Sequence, residues 1–308
     1  MNTGSNALPE AAVQSPVAAS AAIPAGRRFY WSVRRELWEN RSIYLAPAAA
    51  GALILLGSVI TLARLPRTIE AMSGLDPMKQ HQMIGQHYLF ASYLLMAVAL
   101  IVAVFYCLDC LYGERRDRSI LFWKSLPVSD TTAVLSKASV PLVLLPFVTF
   151  VITVATQWIM FMMSSAVLLA RGMSVAALWS HLGLLQMWGM LFYHLMGFHG
   201  LWYAPFFGWM ILVSAWARRA PFLWAILPPL IIGIVEKIAF NTTHFAYLVG
   251  TRFMGGREGA AAASTSMEML NPIDFGHFLI SPGLWIGLAI TAVFLALAIR
   301  LRRSEGPI

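Results

Sequence analysis

The sequence predicts an all-α, polytopic integral membrane protein with six transmembrane helices, and three observations predict it. Of the 308 residues 59% are hydrophobic and only 12% charged, with a mean hydropathy of +0.69, whereas a soluble domain carries roughly a quarter charged residues. Six apolar stretches are long enough to cross roughly 30 Å of hydrocarbon. When they are counted as crossings, Lys and Arg gather on one side. A soluble enzyme is excluded. With 12% aromatic residues and 16 Met the chain is too apolar to be disordered, and two Cys cannot staple a disulfide scaffold.

Residues 1–26 hold a single charge, Glu10, and no Lys or Arg. Gln14, Ser15, Pro16 and Pro24 interrupt any apolar run, so a disordered tail is expected here rather than a cleaved secretory signal. In 27–41, Trp31, Arg34, Arg35, Leu37, Trp38 and Arg41 recur at helical spacing and set an aromatic stripe beside a basic one. That pattern predicts an interfacial amphipathic helix; a plain juxtamembrane positive cluster has the same composition.

The apolar stretches are 43–63, 88–111, 138–169, 182–217, 221–240 and 283–301, within a transmembrane domain at 42–303 and ahead of a tail at 304–308. The fourth contains His199, Gly200 and Pro205 and reads as a long broken helix, a re-entrant piece plus a span, or two spans. Charge decides the count. With six spans and the N-terminus inside, Arg27, Arg28, Arg34, Arg35, Arg41, Arg115, Arg116, Arg118, Lys124, Lys137, Arg218, Arg219, Arg300, Arg302 and Arg303 are cytoplasmic, the majority of the 22 basic residues. Two spans in the fourth stretch would move Arg218, Arg219 and the C-terminal arginines outside. Six spans with both ends cytoplasmic therefore follow. The net charge of +8 then falls almost wholly inside, as orientation charge rather than a nucleic-acid footprint.

Between the spans lie a charged cytoplasmic loop at 112–137 and a long outer loop at 241–282. The middle of the outer loop, Gly255 to Ser266, is rich in Gly, Ala and Ser; its end, Met267 to Ser281, reads as a short helix dipping into the outer leaflet or as a surface-packed loop. The cytoplasmic loop is the most informative stretch. A run of alternating charges leads into the apolar patch Ile120 to Trp123; Leu126-Pro127 then stops the helix, and Ser129 is placed to cap the next one. The patch must be covered by lipid headgroups and acyl chains or by another protein, with the surrounding charges giving such a contact specificity.

The run from Gly113 to Ser129, with Lys137 at the mouth of the third span, resembles the signature region of ABC-2 type permeases, the membrane subunits of type V ABC transporters, mostly exporters. The layout over roughly residues 27–303 is similar as well: an interfacial helix, six spans, a tight turn between spans four and five, and a long outer loop before span six. The Trp- and Met-rich stretch from Trp179 to Pro205 departs from that pattern. The resemblance implies a coupling helix that docks in a cleft of a cytoplasmic ATPase. It carries that role to Glu114, Arg115, Arg116, Asp117, Arg118, Ser119, Ile120, Leu121, Phe122, Trp123, Lys124, Ser125, Leu126 and Pro127. No G-x-x-x-x-G-K-[ST] phosphate loop occurs in the chain, so ATP and Mg are expected on a partner ATPase present in two copies. The resemblance further implies a second permease copy, in a homodimer, and the cytoplasmic (inner) membrane of a bacterium. No nucleic-acid partner is expected.

Other residues bear on function less directly. Tyr93, Met96, Leu100, Trp209 and Trp224 offer an apolar, aromatic substrate path, which suits an amphipathic or hydrophobic cargo such as a lipid, drug or peptide. Cys107-Leu-Asp-Cys110 is packing or a thiol pair, and Asp109 pairs with Arg115 or Arg116 or relays protons. His194 and His199, with Met187, Met190 and Met196, fit an apolar core or a soft-metal path; no catalytic residue and no resident metal site are assigned. Glu236 and Lys237 neutralise each other, form a gate or anchor a helix end. The competing classes are a membrane-embedded enzyme, and a metal-handling or sensory membrane subunit.

Overall fold

The computed structural model of the chain describes residues 24–62, 77–125, 128–175, 183–253, 276, 278–304 and 306. The described residues form helices and no strand. Five helices are long and apolar enough to cross a membrane: Ser42–Leu62, Gly85–Arg116, Asp130–Ala170, Pro221–Phe240 and Pro282–Ser304. By that measure the chain is a multi-pass membrane protein.

The first helix, α1 (Ala25–Glu39), begins just before the expected 27–41 and ends before Arg41. Asn40 closes it, its backbone N–H and its side chain both donating to the Glu36 carbonyl. After a tight turn follows α2 (Ser42–Leu62). Gly51 lets α2 approach closely, since a Cβ there would meet Thr156 Oγ1 at 2.8 Å; small residues at such crossings are how helices pack in lipid. The expected tail at 1–26 lies outside the described residues as far as residue 23, and α1 already takes up its end.

The next span, α3 (Pro77–Asp109), runs into two short helices, α4 (Tyr112–Arg116) and α5 (Ile120–Ser125). Arg118, at φ 57°, reverses the chain between them. Ser129 then caps α6 (Asp130–Ser139) by accepting from Thr132 N–H. The expected loop at 112–137 is therefore helical over most of its length, because capping and charge pairing organise it. Leu126 and Pro127 lie outside the described residues. The helix widens into a π turn at Val140–Leu144 and continues as α7 (Leu145–Ala170), so the third span starts at Asp130 rather than 138. Gly172, at φ 70°, ends α7 with bonds from Gly172 N–H to Leu169 O and Met173 N–H to Leu168 O, the pairing that a left-handed glycine permits.

The fourth apolar stretch is divided. It consists of α8 (Leu184–Tyr193), a nine-residue π segment (His194–Trp202) and α9 (Ala204–Trp216). Pro205 has no N–H to continue the ladder, and the helix breaks at Tyr203 just before it. The two π segments touch where two backbone irregularities coincide. Pro146 cannot donate to the Leu142 carbonyl one turn earlier, and Gly200 sits against that oxygen: a Cβ on Gly200 would lie 2.5 Å from it.

Next come α10 (Pro221–Phe240), α11 (His244–Phe253) and α12 (Pro282–Ser304). Only Ala225 of α10 is buried, and Phe222, Leu227, Ile231, Ile238 and Phe240 are exposed, as a lipid-facing helix requires. Of the expected outer loop at 241–282, residues 254–275 and 277 lie outside the described set.

One apolar cluster, with Ile43, Tyr106, Leu111, Val134, Leu145, Ile211 and Ala298, fills one end of the bundle. Another, with Tyr88, Phe161, Leu168 and Met187, fills the other. Buried Gln157 ties three helices together near the second cluster. Its Nε2 donates to Tyr88 O at 3.0 Å and Ser92 Oγ at 2.7 Å, and its Oε1 accepts from Trp188 Nε1 at 3.0 Å. In hydrocarbon such satisfaction is obligatory for a buried amide.

The Gly200–Leu142 contact yields a test. Gly200→Ala forces the π segments apart at a cost of about 1–3 kcal/mol and lowers the thermal unfolding midpoint of the detergent-solubilised protein. Gly57→Ala, where a Cβ meets nothing within 4 Å, leaves it unchanged. Equal midpoints for the two variants would refute the close packing.

Candidate functional site

At the end of the bundle where α1 and α12 both terminate, charged side chains from distant parts of the sequence meet inside the protein. Glu36, on α1, is fully buried. Lys137 Nζ lies 2.9 Å from Glu36 Oε1 and 3.1 Å from Glu114 Oε1. Arg302, on the last turns of α12, pairs with Glu114 Oε2 through Nη1 and with Asp130 Oδ1 through Nε at 3.1 Å. Arg35 Nη2 reaches Glu36 Oε1 at 2.9 Å and Glu114 Oε1 at 3.1 Å, and Tyr106 Oη donates to Glu36 Oε2 at 2.8 Å. Three carboxylates (Glu36, Glu114, Asp130) thus face three cations (Arg35, Lys137, Arg302), and Glu39 at the exposed rim adds a contact to Arg35 at 3.5 Å. Each buried charge has an opposite partner, which is the condition for burying it at all.

Helical register makes the meeting local on each element. Glu36 is on the face of α1 turned to the bundle, while Arg34 stays on the other face between Trp31 and Trp38, 5.0 and 4.7 Å from their ring centres. Lys137 is two turns into the helix that Ser129 caps. Glu114 follows the turn after α3, where Ser214 Oγ accepts from Leu111 N–H at 3.0 Å and Tyr112 N–H at 2.9 Å. Arg115 points the opposite way and donates to the carbonyls of Ala215, Ala217 and Gly306. It thereby satisfies the carboxyl end of α9, where a cation is favourable.

The fourteen residues expected on a docking surface are thus divided. Glu114, Arg115 and Ile120 are buried within the chain itself, at 8%, 4% and 1% exposure. Their expected outward-facing position is corrected, because each has its contacts inside the bundle. Trp123 is half-buried, with the Arg35 guanidinium 3.8 Å from its ring centre, and so connects α5 to the node. Arg116, Asp117, Arg118, Leu121, Phe122, Lys124 and Ser125 are exposed, and Ser119 is half-buried. Arg116 donates to Asp117 at 2.9 Å and lies 3.9 Å from Asp109. That hydrogen bond holds the Asp117 carboxyl below its usual range, while burial raises that of Glu39 against the pull of Arg35.

The expected substrate-path residues do not converge. Tyr93 and Met96 line one small cavity with Met190 and His194. Leu100 packs against the cluster at the charged end. Trp209 donates to Ala225 O at 2.9 Å, and Trp224 meets Trp216 edge-on at 4.7 Å, both at the α9–α10 junction. A larger cavity of about 670 Å³, lined by Leu53, Gly57, Gln86, His87, Phe90 and Met160, lies between α2 and α3. Sequence reasoning missed it. Glu236 does not neutralise Lys237: its carboxylate accepts from Thr242 Oγ1 and from the N–H groups of His244 and Phe245, the free donors that open α11.

No protein-family model matches the chain, and neither a curated protein nor a solved structure matches it.

Removing one member of the node leaves a buried opposite charge. Lys137→Met lowers stability by about 3–5 kcal/mol, read as a leftward shift in a denaturant titration of the detergent-solubilised protein. Combining it with Glu36→Gln costs less than the sum of the two single variants, because the pair is lost only once. Strict additivity would show that the two side chains do not interact.

Proposed function

We propose that this chain is the membrane-spanning permease subunit of an ATP-driven exporter. The observation that carries the reading is a rigidly backed, exposed apolar pair. Leu121 and Phe122 are each 59% exposed on α5, while Ile120 and Trp123 on the same short helix anchor it to the core and to Arg35. Exposed aliphatic and aromatic surface flanked by Arg116, Arg118 and Lys124 fits a cleft on a cytoplasmic partner. A push on α5 passes through Trp123 and Arg35 into the node, and from there to α1, α6 and α12.

Six crossings fit this reading. Arg35 and Arg302 both reach Glu114, so the two ends of the chain share one end of the bundle, which supports an even number of crossings between them. The divided stretch is the sixth: Met187 sits in the cluster with Tyr88, and Ser214 binds the N–H of Leu111, so residues 184–216 accompany α3 between those levels. The excess of Lys and Arg at the node end supports cytoplasmic termini, in a bacterial inner membrane. ATP and Mg belong to two ATPase copies, and a second permease copy, forming a homodimer, completes the translocation path. The cavity between α2 and α3, about 670 Å³ and largely apolar, falls in the size range of roughly 300–1,000 Å³ that suits drug-sized ligands, consistent with an amphipathic cargo.

Co-purification tests the proposal. An ATP-binding subunit co-expressed from the same genome is retained by the wild-type chain and by the exposed-face control Leu169→Ala, and is lost on Phe122→Asp, with the helical signal unchanged. Retention indifferent to Phe122→Asp, or no ATPase bound by the wild type, would sink the reading.

A further inference from the structure

We propose that α8 and α3 form a binding site for a single soft monovalent cation of the Cu(I) type, with the thioethers of Met96, Met187 and Met190 and the imidazole of His194 as donors. The inference goes beyond the exporter reading and does not rest on it.

Four observations lead to this site. The first is placement. Met187, Met190 and His194 follow one another at spacings of three and four, which puts them on one face of α8 as it enters the π segment. Met96 of α3 faces them, and all four line the same cavity. A π widening that begins at a donor residue is a common mark of a functional position.

The second is the state of the histidine. His194 Nδ1 lies 3.1 Å from the Met190 carbonyl oxygen, which can only accept, so Nδ1 carries the proton. The lone pair of the neutral ring is then on Nε2, for which the described residues show no hydrogen-bond partner. Metal-binding imidazoles are oriented in this way, by a bond from the other ring nitrogen to a carbonyl. The ring is also held in place, with Phe198 stacked at 5.6 Å and Tyr193 edge-on at 5.6 Å.

The third is size. The cavity holds about 50 Å³, well short of the roughly 300 Å³ at which pockets begin to accept drug-sized ligands. An ion fits and a lipid chain does not. Ser92 already donates to Tyr88 O and accepts from Gln157, so the donors left on the lining include the three thioethers, His194 and, at the exposed rim, Gln186.

The fourth is donor chemistry. Among the described residues no three His, Cys, Asp or Glu gather where they could hold a metal, so the hard and borderline ions, which need carboxylate or multiple imidazole ligands, have no site. Thioether sulfur with one imidazole is a soft set and selects Cu(I). No oxidation or reduction at the site is involved: the ion binds as Cu(I) and leaves as Cu(I).

The experiment is a titration of the purified, detergent-solubilised full chain with Cu(I) drawn from its bicinchoninate complex under argon. One Cu(I) per chain is expected, with sulfur and nitrogen scatterers together in the copper X-ray absorption spectrum. Met190→Leu and His194→Phe are each expected to weaken binding by at least the roughly 10- to 100-fold that loss of even an outer-sphere partner costs. Met190→Leu conserves volume, so its unfolding midpoint without copper stays that of the wild type. Cu(I) raises the midpoint of the wild type by mass action and leaves that of the variants unmoved. The double variant Cys107→Ser, Cys110→Ser retains the site. No uptake by the wild type, uptake unchanged in both site variants, or loss of uptake with the cysteines instead would each overturn the assignment. Failure of the Phe122→Asp co-purification leaves these outcomes untouched.

Discussion

The carboxylates of Glu36 and Glu114 cannot exist as anions in an apolar interior unless cations enclose them, and the charged end of the bundle is built to meet that requirement. Lys137 lies between both carboxylates, Arg302 closes the far side of Glu114, and Arg35 bridges the two from the rim. Because these groups come from α1, α4, α6 and α12, satisfying them fixes how four elements meet. Removing water from such ions costs several kcal/mol each, and pairing recovers it only when the geometry is tight. The node therefore contributes register and orientation rather than bulk stability.

The rest of the bundle obeys the rules of a solvent that offers no hydrogen bonds. Buried Gln157 spends both ends of its amide on neighbours, Ser214 receives the two N–H groups left over at the turn between α3 and α4, and Arg115 covers the carbonyls at the end of α9. Near the prolines the backbone departs from the α ladder. It widens to π at Val140–Leu144 and again at His194–Trp202, and a glycine allows the two widened segments to approach. Irregular backbone within a membrane is tolerated where protein covers it.

Much of the architecture was legible. Apolar length marks α2, α10 and α12 to within a residue or two of their starts, and Ser129 announces the cap of α6. The node was legible only in fragments. Lys137 stood out at the mouth of its span, but Glu36 read as one more charge on an amphipathic helix and Arg302 as orientation charge. Residues 36, 114, 137 and 302 belong together only in three dimensions. The available hint was the presence of single acids among the bases at span ends on one side. The path residues separate for a related reason: aromatic content is visible in a sequence, whereas facing is not, and Tyr93 and Trp224 lie in different places. The π register was hidden because it leaves the apolar composition unchanged.

Arg302 brings time into the picture. A ribosome releases the chain from the N-terminal end, so Glu36, Glu114 and Lys137 are already in place while the segment that carries Arg302 is still being made. Until then Glu114 has Lys137 and Arg35 but lacks the partner for its second oxygen, and Asp130 lacks its guanidinium. Glu114 Oε2 and Asp130 thus gain their guanidinium partner only when the last helix inserts. A nascent chain cut short before α12 lacks the ion pairs that tie that helix to α4 and α6.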